Sequence, residues 1–251
     1  MLRGRKQLVI VGVVAAAAVA AGIAAGVTAL HRASASTITG TELNRPVPSL
    51  PLLDAHGKRV TLAAYRGKVV VLSPVLTLCH EVCPLTTGAF LGMQRAVRRA
   101  GLADRVVFAE VSVDPWRDSP ARLRAFSRNV GIHFPLLTGS VAELRGFWRF
   151  FGVGFFRTAA GKPPDVDWWT HRPETFDVAH SDGLFFVDAA GHLRIVVLGM
   201  PNVHGRLAAR LRRLLSGEGI RNLDHPQVAW TVPQALDDLG ALLGRRIPPA
   251  P

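Results

Sequence analysis

Lys68-Val69-Val70-Val71-Leu72-Ser73-Pro74-Val75, followed closely by Leu78-Cys79-His80-Glu81-Val82-Cys83-Pro84, decides how this chain folds. The first stretch is a continuous apolar run of mostly β-branched residues, the pattern of a strand buried on both faces. The second is a loop that ends at Pro84, a natural first helical position. Leu85–Ala100 then reads as a helix closed by Gly101. A buried strand, a cysteine-bearing loop and a helix in direct succession form the start of a βαβ unit.

Working outward, the same alternation continues. Val106–Val113 is a second buried strand, and Ser119-Pro120 caps and opens a helix over Ala121–Val130. Phe134–Leu137 reads as a short strand and Ser140–Phe151 as a helix. Leu184–Asp188 and His192–Leu198 flank the turn Ala189–Gly191 as a hairpin, and Val203–Leu215 has an amphipathic pattern expected to form the final helix. Upstream, Leu50–Leu53 and Arg59–Leu62 flank the turn Asp54–Lys58 as a smaller hairpin. The expected class is α/β, with a central mixed sheet flanked by helices. Gly152–Thr175 reads as long and irregular, which in a compact domain marks a functional or mobile segment. Residues 217–251 read as a tail, with a short helix near Pro233–Leu243.

Leu8–Leu30 carries no charge and is long enough to span a bilayer. Arg3, Arg5 and Lys6 precede it, so residues 1–7 are expected in the cytoplasm and the remainder outside. Ala33-Ser34-Ala35 offers a signal-peptidase site as the rival reading, but the apolar stretch exceeds an ordinary signal core. Both readings export the domain. Residues 31–50, polar and proline-bearing, are expected to be a tether, leaving 51–216 as the folded domain. The formal net charge is +12. The arginines are scattered, without a basic stripe interleaved with aromatics, so nucleic acid is not an expected partner.

Cys79 and Cys83 are the two cysteines of the chain. A disulfide-stapled scaffold uses more cysteines at wider spacing, so two this close point to a redox pair or a metal site. Cys83 falls at the helix N-terminus, where the dipole favours a thiolate, and a thiolate is both nucleophile and metal ligand. Three intervening residues give a wider loop than the two of a thioredoxin-type motif, wide enough to aim both sulfurs at one ion. His80 and Glu81, inside the loop, can reach a metal, tune the thiols or simply face solvent. Soft sulfur with imidazole suits copper in either oxidation state. Of nine histidines, His31, His56, His133, His192, His204 and His225 stand in tether, turns, element ends or tail, and His171 is a reserve. His180 precedes the strand at Leu184, whose entry loop passes beside the cysteine loop in a thioredoxin-like sheet. Position alone leaves it open as a ligand or as a loop histidine bonded to backbone. Asp114 ends a strand on the face where the cysteine loop emerges, where it can terminate the strand or support the donors through hydrogen bonds.

Three motifs in order carry a resemblance: Cys79-x-x-x-Cys83-Pro84, Val113-Asp114-Pro115-Trp116-Arg117-Asp118-Ser119-Pro120, and Val178-Ala179-His180-Ser181 leading into Leu184–Gly191. Together they resemble the Sco/SenC family, the copper proteins associated with cytochrome c oxidase assembly, over roughly Pro51–Leu215. The resemblance implies a thioredoxin-like domain with copper held by Cys79, Cys83 and His180. The chain departs from the family in having His80 where proline is usual, Ala179 where aspartate is common, and a less aromatic approach through Leu72–Leu76. The implied function is a membrane-tethered copper metallochaperone. Its partner would be the copper-bearing oxidase subunit or another copper chaperone. The rival is a thiol–disulfide oxidoreductase that keeps oxidase cysteines reduced, and a third reading is a redox or copper sensor.

Overall fold

The computed structural model describes residues 38–204, 206–227 and 230–250. The expected anchor at 8–30 and cytoplasmic segment at 1–7 lie outside them. Among the described residues no helix is long and apolar enough to cross a membrane.

The strands are β1 (Thr41–Pro46), β2 (Leu52–Asp54), β3 (Arg59–Val60), β4 (Val69–Val75), β5 (Val106–Ser112), β6 (Leu136–Thr138), β7 (Phe155–Ala159), β8 (Phe176–His180), β9 (Gly183–Val187), β10 (His192–Leu198), β11 (Pro201–Asn202) and β12 (Trp230–Thr231). The helices are α1 (Cys83–Arg99), α2 (Pro120–Val130), α3 (Val141–Phe151), α4 (Ala209–Arg212), α5 (Gly217–Asp224) and α6 (Val232–Leu243). An eight-stranded sheet runs β1-β10-β9-β4-β5-β6-β2-β3. Its centre, β4-β5-β6, is parallel, and β9 and β2 join antiparallel on either side. It is the mixed sheet expected from the alternation of strands and helices.

The pleat of β4 sorts the core into two layers. Val69 and Val71 pack with Phe90 and Met93 of α1, Leu123 and Phe126 of α2, and Leu236 and Leu239 of α6. Val70 and Leu72 face the opposite side, with Leu144, Phe147, Trp148 and Phe151 of α3. Alternate residues of one strand thus serve helices on both faces, and β4 is buried throughout. Ser119 caps α2 by accepting from the Arg122 amide. Ser140 and Glu143 form a reciprocal capping box on α3, which ends at Gly152 with φ 77°, a left-handed position that glycine takes without strain.

Four expectations need correction. The expected tether contributes β1, which pairs with β10 from Thr41 to Pro46: exposed polar side chains read as linker, but an edge strand needs only backbone partners. Gly152–Thr175 contains β7, paired with β8 in a separate two-stranded ribbon. The helix expected over Val203–Leu215 is confined to the single turn of α4. Finally, 217–250 is no loose tail. Leu223, Trp230, Leu236, Leu239, Leu243 and Ile247 are buried in the core, and Asp238 accepts from the Thr39 amide at 2.7 Å. The C-terminal segment therefore holds the chain where it enters the domain.

Candidate metal centre

Pro74 shapes the site. Without an N–H it cannot extend the β4–β9 ladder, whose pairing stops at Leu72–Phe185. Ser73 Oγ donates instead to the Gly183 carbonyl at 2.9 Å. The turn before β9 therefore separates from β4, while β4 continues beside β5 to Val75. A cleft of about 270 Å³ opens there, lined by Cys79, His80, Glu81, Asp165, Glu174, Asp177, His180 and Asp182 among others. Five carboxylates in one cleft of a chain with net charge +12 favour a cationic guest.

Two of the sequence-expected donors, Cys79 and His180, line this cleft, and the third, Cys83, is buried beside His180. Cys83 is the first residue of α1, buried, and its Sγ lies 4.0 Å from His180 Nε2. The His180 side chain is almost fully buried, and its Nδ1 faces the Ser181 carbonyl at 3.2 Å and Asp182 Oδ1 at 3.5 Å. In the neutral ring, a proton on Nδ1 donates to the Ser181 carbonyl and leaves the Nε2 lone pair toward the sulfur. Both cysteines are free thiols.

The expected thiolate is reassigned. The first amides of the helix point at Cys79 Sγ, not at Cys83: Val82 N–H donates at 3.4 Å and Cys83 N–H at 3.3 Å. Donation from the Cys83 thiol, with these amides and the attraction His180 exerts whenever its ring is protonated, lowers the Cys79 pKa to about 6 against the opposing effect of burial. Cys83, giving its proton to that bond and buried beside the Cys79 charge, is pushed well above the ordinary thiol value. Among the described residues no three His, Cys, Asp or Glu donors already converge on one point. Cys83 and His180 face each other at a separation one ion can bridge, since metal–sulfur and metal–imidazole bonds are about 2.3 Å and 2.0 Å. The Cys79 sulfur must turn from its amides to join them.

His80 is not available as a ligand. Its Nδ1 lies 2.7 Å from the Leu214 carbonyl and its Nε2 3.4 Å from Glu174 Oε1. Although burial opposes the charge, those bonds raise its pKa to about 9, so both nitrogens carry protons and neither offers a lone pair. Glu81 is exposed on the rim. His171 does not line the cleft. Asp114 hydrogen-bonds none of the three donors. It is buried and accepts from Arg117 Nε at 2.5 Å. Arg117 in turn reaches Glu174 at 2.8 Å and the Phe176 carbonyl on β8 at 2.9 Å, so Asp114 bears on His180 only through that strand.

Two contributors were not singled out from the sequence. Asp182 places a carboxylate oxygen 3.5 Å from His180 Nδ1, and its spacing two residues on was the available signal. Asp118, quoted above only as part of the second motif, is buried and bonded to Thr77, just ahead of the cysteine loop. Its carboxylate accepts from Thr77 Oγ1 at 2.5 Å and Ser112 Oγ at 2.7 Å. Burial and the nearby Asp114 charge raise it to about 7.

Comparison with known proteins identifies the family. A Stutzerimonas stutzeri protein described as copper-binding is 24% identical over 152 residues, covering 60% of this chain and 68% of the relative. Protein sco1 of Schizosaccharomyces pombe is 26% identical over 140 residues, covering 56% of this chain, and the match spans only half of the yeast protein. The structure of Bradyrhizobium japonicum ScoI with copper bound is 25% identical, covers 68% of this chain and 99% of that chain, and gives a TM-score of 0.51. The SCO1/SenC family model matches residues 41–216, from the first edge strand to the cap of α5. With well over half its length matched and both cysteines and the cleft histidine inside the matched span, the chain belongs to the SCO1/SenC family.

Proposed function

We propose that this protein is an extracytoplasmic copper carrier, anchored by residues 8–30. It binds one copper ion through Cys79, Cys83 and His180. It passes the ion on during assembly of the cytochrome c oxidase copper site, with the copper-bearing oxidase subunit or another copper chaperone as its partner. The observation that carries the reading is the Cys83 Sγ–His180 Nε2 approach of 4.0 Å, beside a thiol already inclined to ionise. Two thiolates and a neutral imidazole make a donor set soft enough for copper(I) and sufficient for copper(II). The chain's own part in loading is to release the Cys83 proton, turn the Cys79 sulfur inward and hold His180 by Asp182. The copper-bound Bradyrhizobium relative and the family membership support the same reading.

The test is the full-length chain in detergent, titrated with copper against a competing chelator. His180→Ala should keep two free thiols, lose most copper(II) binding and retain more of its copper(I) binding, because copper(I) tolerates fewer ligands. In cells it should lower oxidase copper and activity, with partial rescue by added copper. Normal oxidase assembly in that variant at low copper would remove the carrier reading.

The unequal thiols favour one alternative, a disulfide reductase. Cys79 thiolate would attack a client disulfide and release one client thiolate. Cys83, losing its proton, would then attack Cys79 Sγ and release the second. The client gains two electrons and the Cys79–Cys83 pair is oxidised to a disulfide. That role needs no imidazole ligand, so it predicts near-normal oxidase with His180→Ala and failure with Cys83→Ala.

A further inference from the structure

His80 stands between the two cysteines but joins neither, and its bonds lead to two distant parts of the chain. Its carbonyl accepts from the Ser216 amide at 2.8 Å and from Ser216 Oγ at 3.2 Å. The same Ser216 Oγ accepts from the Gly219 amide and caps α5. Its ring nitrogens meet the Leu214 carbonyl and Glu174. Gly219 lies against the loop so closely that a Cβ there would overlap the His80 carbonyl oxygen. On the other side, Glu174 binds Arg117, and Arg117 holds the Phe176 carbonyl while its guanidinium covers the Phe176 ring at 4.1 Å. Phe176 begins the strand that His180 ends.

We infer that His80 is a positioning residue: its ring and carbonyl join the cysteine loop to the strap Leu214–Gly219 and, through Glu174 and Arg117, to the β8 strand, and this joint sets Cys79 and Cys83 opposite His180. The inference rests on the copper reading proposed above and assigns a task to a loop residue and to a segment at the edge of the family-matched span. Each bond alone is modest, but together they fix the loop backbone from two sides, so little rearrangement is left when the ion arrives. Copper(II), which needs all three donors in a defined arrangement, depends on the joint more than copper(I) does.

Three variants of the full-length protein test it, each first checked for wild-type circular dichroism. His80→Ala removes the ring. Gly219→Ala pushes the loop from the strap side by crowding the His80 carbonyl, and it removes no polar group. His80→Asn keeps a donor near the Nδ1 position and so restores the Leu214 bond alone. His80→Ala and Gly219→Ala should each bind one copper(II) per chain about 10–100-fold more weakly, with a shifted electron paramagnetic resonance spectrum and a smaller change for copper(I). His80→Asn should recover part of the loss. Affinities within twofold of wild type, with unchanged spectra, would overturn the inference. So would loss of the whole copper equivalent in His80→Ala, since that marks a ligand. If the wild-type protein binds no copper, the copper reading fails, and alkylation of Cys79 by iodoacetamide still decides the joint. A severalfold change of rate in His80→Ala and Gly219→Ala supports it, and unchanged rates reject it.

Discussion

Cys79 and Cys83 stand between β4, buried along its whole length, and α1, which packs on the central sheet. His180 ends β8, whose sheet partner is β7, a strand buried only at Phe155. One half of the site is thus part of the domain's core, and the other is a ribbon that enters the core only through Phe155 and Val178 and is otherwise pinned by side chains. The pins are specific: Arg117 on Phe176, a two-pronged Arg122–Asp167 pair at 3.0 and 2.7 Å, and Trp168 Nε1 donating to the Thr77 carbonyl at 2.8 Å. Core-built donors resist displacement because moving them breaks close packing, whereas ribbon-borne donors depend on a few polar contacts that single substitutions can remove.

The largest expected difference between the halves is in metal binding. Cys79→Ala or Cys83→Ala should abolish stoichiometric copper binding in a chelator titration, while disturbing the ribbon should only weaken it. Wild-type copper affinity in either cysteine variant would sink the site assignment.

Next comes Arg122→Ala. It leaves the Asp167 carboxylate half-enclosed without its guanidinium, and breaking such a pair costs about 3–5 kcal/mol. The loss should be local: hydrogen exchange should speed up over residues 155–180 and leave β4 and β5 protected. Burial works against ionisation of Asp167, but the Arg122 bonds and the Trp169 and Thr170 amides hold its pKa well below the usual carboxylate range. A lowered carboxylate stabilises above its unfolded pKa, so this contribution persists at neutral pH and fades only in strong acid. Arg122→Ala should therefore lose its deficit relative to wild type as pH falls below about 4. A deficit independent of pH would argue against the ion pair.

On the core side, Glu110 provides the opposite pH behaviour. It is fully buried, bonded through Oε1 to Thr87 Oγ1 at 2.8 Å, with Oε2 unpartnered, and burial raises it to about 8. The folded state keeps a proton that the unfolded chain releases near pH 4.3. Stability should therefore fall as pH rises between those values and level off above about 8. Glu110→Gln removes that fall, so its melting temperature should gain on wild type progressively across that window. Parallel melting curves across the window would refute it.

The smallest effect is expected at Phe156, which is 61% exposed on β7. Phe156→Ser should change stability by no more than about 0.5 kcal/mol and leave copper affinity unchanged in the same titration. A larger loss would mean the ribbon relies on apolar cover.

Legibility followed the same division. The buried strands, α1, α2, α3 and the cysteine loop carry periodic apolar runs, caps and proline at helix starts, so they could be read along the chain. The ribbon, β1 and the packing of the C-terminal segment could not, although that segment's helix near Pro233–Leu243 could. β7 lacks an apolar alternation, β1 is an edge strand defined by backbone partners, and Trp230 depends on pairing with Pro201 and bonding to the Gly199 carbonyl, remote in sequence. The strand order put His180 near the cysteine loop, but the direction of the thiol hydrogen bonds could not be read, because it depends on where individual amides point. Likewise, nothing local to His80 announces that its bonding partners lie near residues 174 and 214.

The strap also has a consequence in time. His80 and Leu214 are separated by 134 positions, and chains grow at about 5–20 residues per second. The cysteine loop is therefore made on the order of ten seconds before the segment that locks it. During that interval the thiols belong to an unfastened loop and are open to oxidation, so a newborn chain meets its most vulnerable chemistry before the last stitch is in place.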